Sequence, residues 1–231
     1  MFHRTRQGYY RSSQLDGIEW LSHGFGTRAQ PLFDLQALTL LQQIHSDRTL
    51  EAAGPCGVAG EGDGLVTDQP DIFLAVKTAD CLPLLLVDPA NQAVSAVHAG
   101  WRGTVACIAE RAVRHLESRY GSRPGQLEVA IGPGIGPCCF EVGPEVAVEF
   151  QGLFPERSDL DRRTRVDLLE ANLRVLEQAG VLRPHVDTAQ VCTVCHGGEF
   201  HSYRRDGARA GRMLSVVAIR NTKGAGSIPR L

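Results

Sequence analysis

Three short segments hold side chains able to bind metal, act as nucleophiles or move protons. They are Gln42-Gln43-Ile44-His45-Ser46-Asp47, Thr78-Ala79-Asp80-Cys81-Leu82-Pro83 and His98-Ala99-Gly100-Trp101-Arg102-Gly103-Thr104. In each, a His or Cys stands at the expected end of a strand, where side chains can converge on one pocket. Two imidazoles and one thiolate suit zinc and leave a fourth position open for water. His45, Cys81 and His98 are 36 and 17 residues apart, which is not zinc-finger spacing. Spacing alone therefore leaves a satisfied core or surface histidine as a competing reading.

Other polar residues carry two readings each. Asp80 adjoins Cys81 and either orients the site and relays protons or is a strand-end carboxylate satisfied by local amides. Arg28 and Arg102 offer guanidinium forks that match phosphate oxygens in bidentate fashion, or else form surface salt bridges. Asp63, between Gly62 and Gly64, is a candidate substrate residue or an Asx-turn residue. The run Ile131-Gly132-Pro133-Gly134-Ile135-Gly136-Pro137 is neither G-x-G-x-x-G nor a P-loop. Its amides could approach an anion, or it could be a rigid turn before Cys138 and Cys139.

The elements that must position these residues follow from apolar patterning. Residues 71–76, 82–87 and 93–97 are short apolar runs between turn residues and read as buried strands. Residues 127–131, 186–191 and 213–219 read the same way. From Thr104 to Tyr120 the apolar residues Val105, Ile108, Ala109, Ala112, Val113 and Leu116 form a one-sided helical stripe. A second helix is expected from about Asp167 to Ala179, with a capping-box-like start at Asp167 and Glu170 and a stop at Gly180. Strands dominate and helices intervene irregularly. That pattern predicts an α+β fold of mixed β-sheets packed together with flanking helices.

Composition bounds the class. The chain has 231 residues, 43% apolar and 22% charged, which reads as one ordinary globular domain over residues 1–231. A net charge of −2 gives no electrostatic case for nucleic acid. No run of 18 apolar residues is present, so no membrane span is expected. The N-terminus lacks the apolar core of a signal peptide, and a cytoplasmic location is the expectation. Lys77 and Lys223 are the only lysines among 24 basic residues, a bias attributed to base composition before anion binding. Seven cysteines, an odd number, argue for reduced thiols over a disulfide framework.

The combination of QIHSD, TADCLPLLLVDP, AVHAGWRGT and AIGPGIGPCCFEVG resembles the YfiH-like, laccase-domain family. The likeness extends to His23-Gly24-Phe25-Gly26-Thr27-Arg28, Gly62-Asp63-Gly64-Leu65-Val66-Thr67 and Phe200-His201-Ser202-Tyr203-Arg204-Arg205-Asp206-Gly207, so it covers nearly the whole chain in order. Proteins of that family, first labelled polyphenol oxidases, are described as purine nucleoside phosphorylases with adenosine deaminase activity. The resemblance implies the α+β fold above and a metal held by His45, Cys81 and His98. It implies phosphorolysis of adenosine, inosine and methylthioadenosine together with hydrolytic deamination of adenosine. On that reading His45, Cys81, His98 and Asp80 are catalytic, with Asp80 as proton donor, and Arg28, Asp63 and Arg102 bind substrate or phosphate. The expected partners are purine nucleosides and phosphate, with neither nucleic acid nor membrane. The segment Ala29–Thr39 is shorter than its usual counterpart in the family, which puts one pocket wall and substrate preference in question.

Zn2+ is the expected cofactor, and copper is disfavoured. A multicopper cluster draws on His-x-His pairs, whereas this chain has eight His and no such pair. A blue-copper site would need an axial Met, and neither Met1 nor Met213 adjoins a motif. The alternative function is a metal- or cysteine-dependent amidohydrolase on another small metabolite, such as a cell-wall precursor, with Cys81 as nucleophile and His98 as base. A non-enzymatic module with a structural metal is a third class, opposed by the open coordination position. Cys192-Thr193-Val194-Cys195-His196 matches a haem-attachment pattern, but no export signal accompanies it. Adjacent Cys138-Cys139 does not read as the second pair of a zinc ribbon, so the Cys192/Cys195 pair is expected to be structural only.

Overall fold

The computed structural model describes residues 1–29, 37–54 and 57–221. Two mixed sheets and a helical layer stack on one another. The first sheet contains β1 (Phe2–Arg4), β2 (Tyr10–Ser12), β3 (Leu21–Phe25), β4 (Leu38–Gln42), β6 (Val58–Glu61), β8 (Phe73–Thr78) and β15 (Met213–Ile219), ordered β1-β2-β3-β15-β8-β4-β6. The second contains β5 (Thr49–Glu51), β7 (Gly64–Thr67), β9 (Leu82–Asp88), β10 (Ala93–Ala99), β11 (Glu128–Ile131) and β14 (Val186–Thr188), ordered β14-β11-β9-β10-β7-β5. A short ribbon pairs β12 (Glu141–Val142) with β13 (Thr164–Arg165). Both large sheets contain parallel and antiparallel pairs, such as β4–β8 against β15–β8 and β5–β7 against β9–β10. The expected α+β architecture of mixed sheets is what forms.

The unbroken apolar run of β9 is explained by burial on both faces. Leu82, Leu84 and Leu86 point into a core shared with the helices, whereas Leu85 and Val87 point into the core between the sheets. Leu74, Val76, Val217 and Ile219 meet them from the first sheet. Each fully buried Leu contributes roughly 1.5–3 kcal/mol. The helices over the outer face are α2 (Trp101–Val105), α3 (Ile108–Tyr120) and α5 (Leu168–Gln178); α1 (Ser13–Asp16), α4 (Pro144–Ala147) and α6 (Tyr203–Asp206) are single turns.

The apolar stripe from Val105 to Leu116 does not belong to one continuous helix. Cys107 adopts φ 59°, a left-handed conformation unfavourable for a side chain with Cβ, and separates α2 from α3. Buried Asn172 of α5 donates to Thr104 Oγ1 at 2.9 Å and ties α2 to α5. The Asp167 cap forms as expected, its carboxylate accepting from Glu170 N at 3.0 Å. The strand expected over 186–191 is shorter, ending at Thr188. No helix among the described residues is long and apolar enough to cross a membrane. Of the shortened Ala29–Thr39 segment, residues 30–36 lie outside the described residues.

Candidate metal centre

Sheet register brings the first two polar residues together. The antiparallel pairing of β10 with β7 runs to Val97↔Gly64, so His98 and Asp63 are the next residues to meet. His98 N donates to Asp63 O at 2.7 Å, and His98 Nδ1 donates to Asp63 Oδ1 at 2.8 Å. That bond leaves Nε2 as the free ring nitrogen. The same carboxylate accepts from Ile44 N (3.3 Å), His45 N (3.0 Å), Ser46 N (2.6 Å) and Ser46 Oγ (2.7 Å). These donors hold His45 at φ 60°, a conformation that costs a non-glycine residue of order 1–3 kcal/mol. Upstream, Gln43 anchors the turn to β8: its side chain donates to Lys77 O and accepts from Lys77 N, both at 2.8 Å.

Cys81 arrives from a third direction, in the turn where the chain leaves β8 of the first sheet for β9 of the second. One ligand atom from each of His45, Cys81 and His98 lies within 4.8 Å of the others. The two imidazoles meet edge to face, with centroids 4.9 Å apart. Gly100 makes this convergence possible, because a Cβ there would stand 2.9 Å from Cys81 Sγ and 3.1 Å from His45 Cδ2. The donor set, two imidazoles and a soft thiolate aimed at one point, fits zinc.

Electrostatics favour charge on Cys81 and His98. Burial alone would raise the Cys81 thiol, but hydrogen bonds from His45 and His98 and their charges bring it down to about 6. Burial would lower His98; the Asp63 carboxylate and the Cys81 sulfur outweigh it and raise the ring to about 9. Asp63, despite burial, is held down to about 2 by His98 and Ser46. Without metal the cluster is a thiolate–imidazolium pair backed by a buried carboxylate.

The triad opens onto a cavity of about 760 Å³. Trp101, Phe140, Ile135 and Tyr203 supply apolar and aromatic wall, and Lys77, Arg102, Arg204 and Arg212 supply positive charge. Among the described residues Lys77 and Arg102 make no ion pair, and the Arg102 guanidinium lies 4.3 Å from the Trp101 ring centroid. Arg204 donates to Glu141 O at 2.7 Å and Arg212 to Ala210 O at 2.8 Å. Lys77, Arg204 and Arg212 were not singled out as binding residues from sequence; the only signal was that Lys77 is one of two lysines in an arginine-rich chain.

The remaining candidates separate. Arg102 is at the cavity, whereas Arg28 is not among its lining residues; its guanidinium donates to Gly197 O. Asp63 is fully buried behind the triad, where its carboxylate is occupied by protein donors. Asp80 borders the cavity, but its carboxylate accepts from Thr193 Oγ1 (2.6 Å), Ser202 Oγ (3.0 Å) and Arg204 N (2.6 Å). Asp80, itself at φ 85°, thus clamps the 193–204 segment against the turn that carries Cys81. The cysteine pairs also differ from expectation. Cys138 and Cys139 do meet Cys192 and Cys195, all four sulfurs lying within 4.8 Å of one another.

Comparison with known proteins bears on this geometry. Residues 27–220 match the family model described as multi-copper polyphenol oxidoreductase laccase. A purine nucleoside phosphorylase of Deinococcus radiodurans is 40% identical over 186 residues, 80% of this chain and 71% of that protein. An adenosine deaminase, RL5, from an unknown prokaryotic organism is 39% identical over 161 residues, 67% of this chain and 61% of that protein. The crystal structure of YlmD from Geobacillus stearothermophilus superimposes with TM-score 0.86 at 27% identity, covering 95% of this chain and 99% of that one. A Bacillus licheniformis structure, hypothetical protein YfiH, gives TM-score 0.83 with the same coverage.

Proposed function

The chain belongs to the multi-copper polyphenol oxidoreductase laccase family, and from that premise we propose that it is a zinc-dependent purine nucleoside enzyme. The activities proposed are phosphorolysis of adenosine, inosine and methylthioadenosine, and hydrolytic deamination of adenosine. One observation carries the reading: the His45–Cys81–His98 set opens onto a cavity lined by aromatic rings and by the cations Lys77, Arg102, Arg204 and Arg212. The names of the relatives, purine nucleoside phosphorylase and adenosine deaminase, supply the substrate class. His45, Cys81 and His98 would hold the zinc, which would supply Lewis acidity there.

The chain's own residues account for the rest. Asp63 orients the His98 ring through Nδ1 and sets the backbone turn that carries His45. Trp101, Phe140 and Tyr203 offer flat surfaces for a purine. Arg102 and Lys77 offer charge for phosphate, which must attack the ribose C1′ as positive charge develops on the sugar. Deamination and phosphorolysis act at opposite ends of the nucleoside, so the two reactions need different poses in one cavity. Asp80, with three donors on its carboxylate, positions the Cys81 turn in this scheme and is not used as a proton donor.

A second reading keeps Cys81 as a nucleophile with His98 as its base, in an amidohydrolase acting on another small metabolite. The lowered Cys81 thiol favours it. Incubation with a nucleoside panel, with and without phosphate, separates the two. Release of free purine only with phosphate, and of ammonia from adenosine without it, supports the first. Absence of turnover on every nucleoside by zinc-loaded protein, together with a metal-independent covalent adduct at Cys81, supports the second.

A further inference from the structure

Outside the nucleoside cavity, two pairs of cysteines separated by more than fifty residues share one small volume. Cys195 Sγ lies 3.6 Å from Cys138 Sγ and 3.5 Å from Cys139 Sγ, and all four sulfurs lie within 4.8 Å of one another. We propose that Cys138, Cys139, Cys192 and Cys195 form a second metal site, a tetrathiolate that binds one structural zinc ion. At a Zn–S distance of about 2.3 Å a regular tetrahedron has edges of about 3.8 Å, close to the 3.6 and 3.5 Å from Cys195 Sγ to Cys138 and Cys139 and inside the 4.8 Å that bounds all four. Four sulfurs this close have room for one shared ion, and a closed set of four ligands is the mark of a structural site.

The backbone is already arranged for this. Gly136 O accepts from Cys139 N and Phe140 N, both at 3.0 Å, which turns the vicinal pair toward the other loop. Thr193 N donates to Gly134 O at 2.9 Å, and Gly134 N to Val191 O at 3.3 Å, which locks the two loops side by side. Gly136 N donates to Cys192 Sγ at 3.3 Å, which ties the glycine-rich loop to the C-x-x-C turn. Gly136 is constrained by this packing: a Cβ there would stand 3.2 Å from Cys192 Cβ and 3.4 Å from Cys138 Sγ. Cys192 is buried, while Cys138 and Cys195 are exposed, so an ion can enter from solvent.

The site would stiffen the cavity wall. The first loop carries Ile135 and Phe140, which line the cavity. The second carries Thr193, which donates to Asp80, and its Thr193 and Val194 carbonyls accept from Arg205 at 3.1 and 3.2 Å. An ion between the loops joins the wall at Phe140 to the turn that presents Cys81.

The test counts metal with and without each site, so it stands apart from the nucleoside reading. Protein purified in reductant without chelator is expected to hold two zinc ions per chain by elemental analysis and native mass spectrometry. Cys81→Ser should hold one. The double variant Cys138→Ser/Cys192→Ser should also hold one, lost on further substitution of Cys81. Because Cys192 is buried, the exposed Cys195→Ser single variant gives a second measurement if the double variant fails to fold. Cobalt loaded into Cys81→Ser should show the strong sulfur-to-cobalt bands and d–d envelope of a tetrathiolate, and Cys195→Ser in that background should weaken and blue-shift them. One zinc in the unaltered protein with all four thiols open to a thiol reagent would overturn the site. So would a disulfide among the four in a non-reducing peptide map, an iron spectrum, or full zinc in the double variant.

Discussion

The Asp63 carboxylate accepts from His98 Nδ1 at 2.8 Å while also taking the backbone amide of His45 at 3.0 Å. One buried anion thus orients the His98 ring and fixes the backbone that carries His45, although it lies 35 and 18 residues from them in sequence. Asp63→Asn should keep the size of the group and lose the charge-assisted bonds. Metal affinity should fall about 10–100-fold, as it does when outer partners of ligating histidines are altered. Competition with a fluorescent chelator measures it. Unchanged affinity in a folded variant would show that the ligands orient without Asp63.

Arg102 lines the cavity beside Trp101 and, like Lys77, has no ion-pair partner among the described residues. Arg102→Ala should lower the phosphate-dependent reaction by about 10–100-fold, the value of one charge-assisted hydrogen bond. Adenosine deamination by the same zinc-loaded variant should change far less. Equal losses of both activities would remove the phosphate role.

Asp80→Asn tests clamp against acid. Asn tolerates the left-handed φ that residue 80 adopts; its oxygen can accept from Ser202 Oγ and Arg204 N while its NH2 donates to the Thr193 hydroxyl. The expected result is a modest fall in melting temperature, less than about tenfold loss of kcat and an unchanged pH profile. A loss of about 10³ or more with unchanged stability would restore the proton-donor role that general acids of that strength carry.

His23 sets an acid limit on stability. The ring is fully buried in β3, its Nε2 accepts Ser12 N–H at 3.1 Å, and burial, assisted by Arg11, lowers its pKa to about 3. The Asp16 carboxylate, 3.9 Å from Nε2, does not offset this. The unfolded chain takes up a proton near 6.5, so it binds more protons than the folded chain between about pH 6.5 and 3. Stability should fall as pH drops through that window, by at most ~1.4 kcal/mol per pH unit from this group. His23→Gln should flatten the change in urea midpoint between pH 7 and 5 relative to the unaltered protein. An identical slope would assign the acid sensitivity to other groups.

Local chemistry made much of this protein legible in its sequence. The apolar runs at 82–87 and 93–97 marked buried strands because their residues are apolar on both faces, and the Asp167 cap followed from one side chain and one amide three residues away. The metal-ligating types at residues 45, 81 and 98, with the surrounding motifs, pointed to a family and a metal. What the tertiary structure decided depends on contacts between distant segments. Register between β7 and β10 turned Asp63 from a substrate candidate into the anchor of His98. Asp80 was directed to Thr193, Ser202 and Arg204, partners more than a hundred residues away. The periodicity of 104–120 could not reveal the break at Cys107, because an apolar stripe reports which face is buried and not the φ of one residue. Cys138 and Cys139 gave no ribbon spacing, yet the 132–140 and 191–196 loops align by their own backbone hydrogen bonds. Pattern along the chain encodes burial and capping, which act over a few residues; sites are assembled by sheet register and loop packing, which act through space.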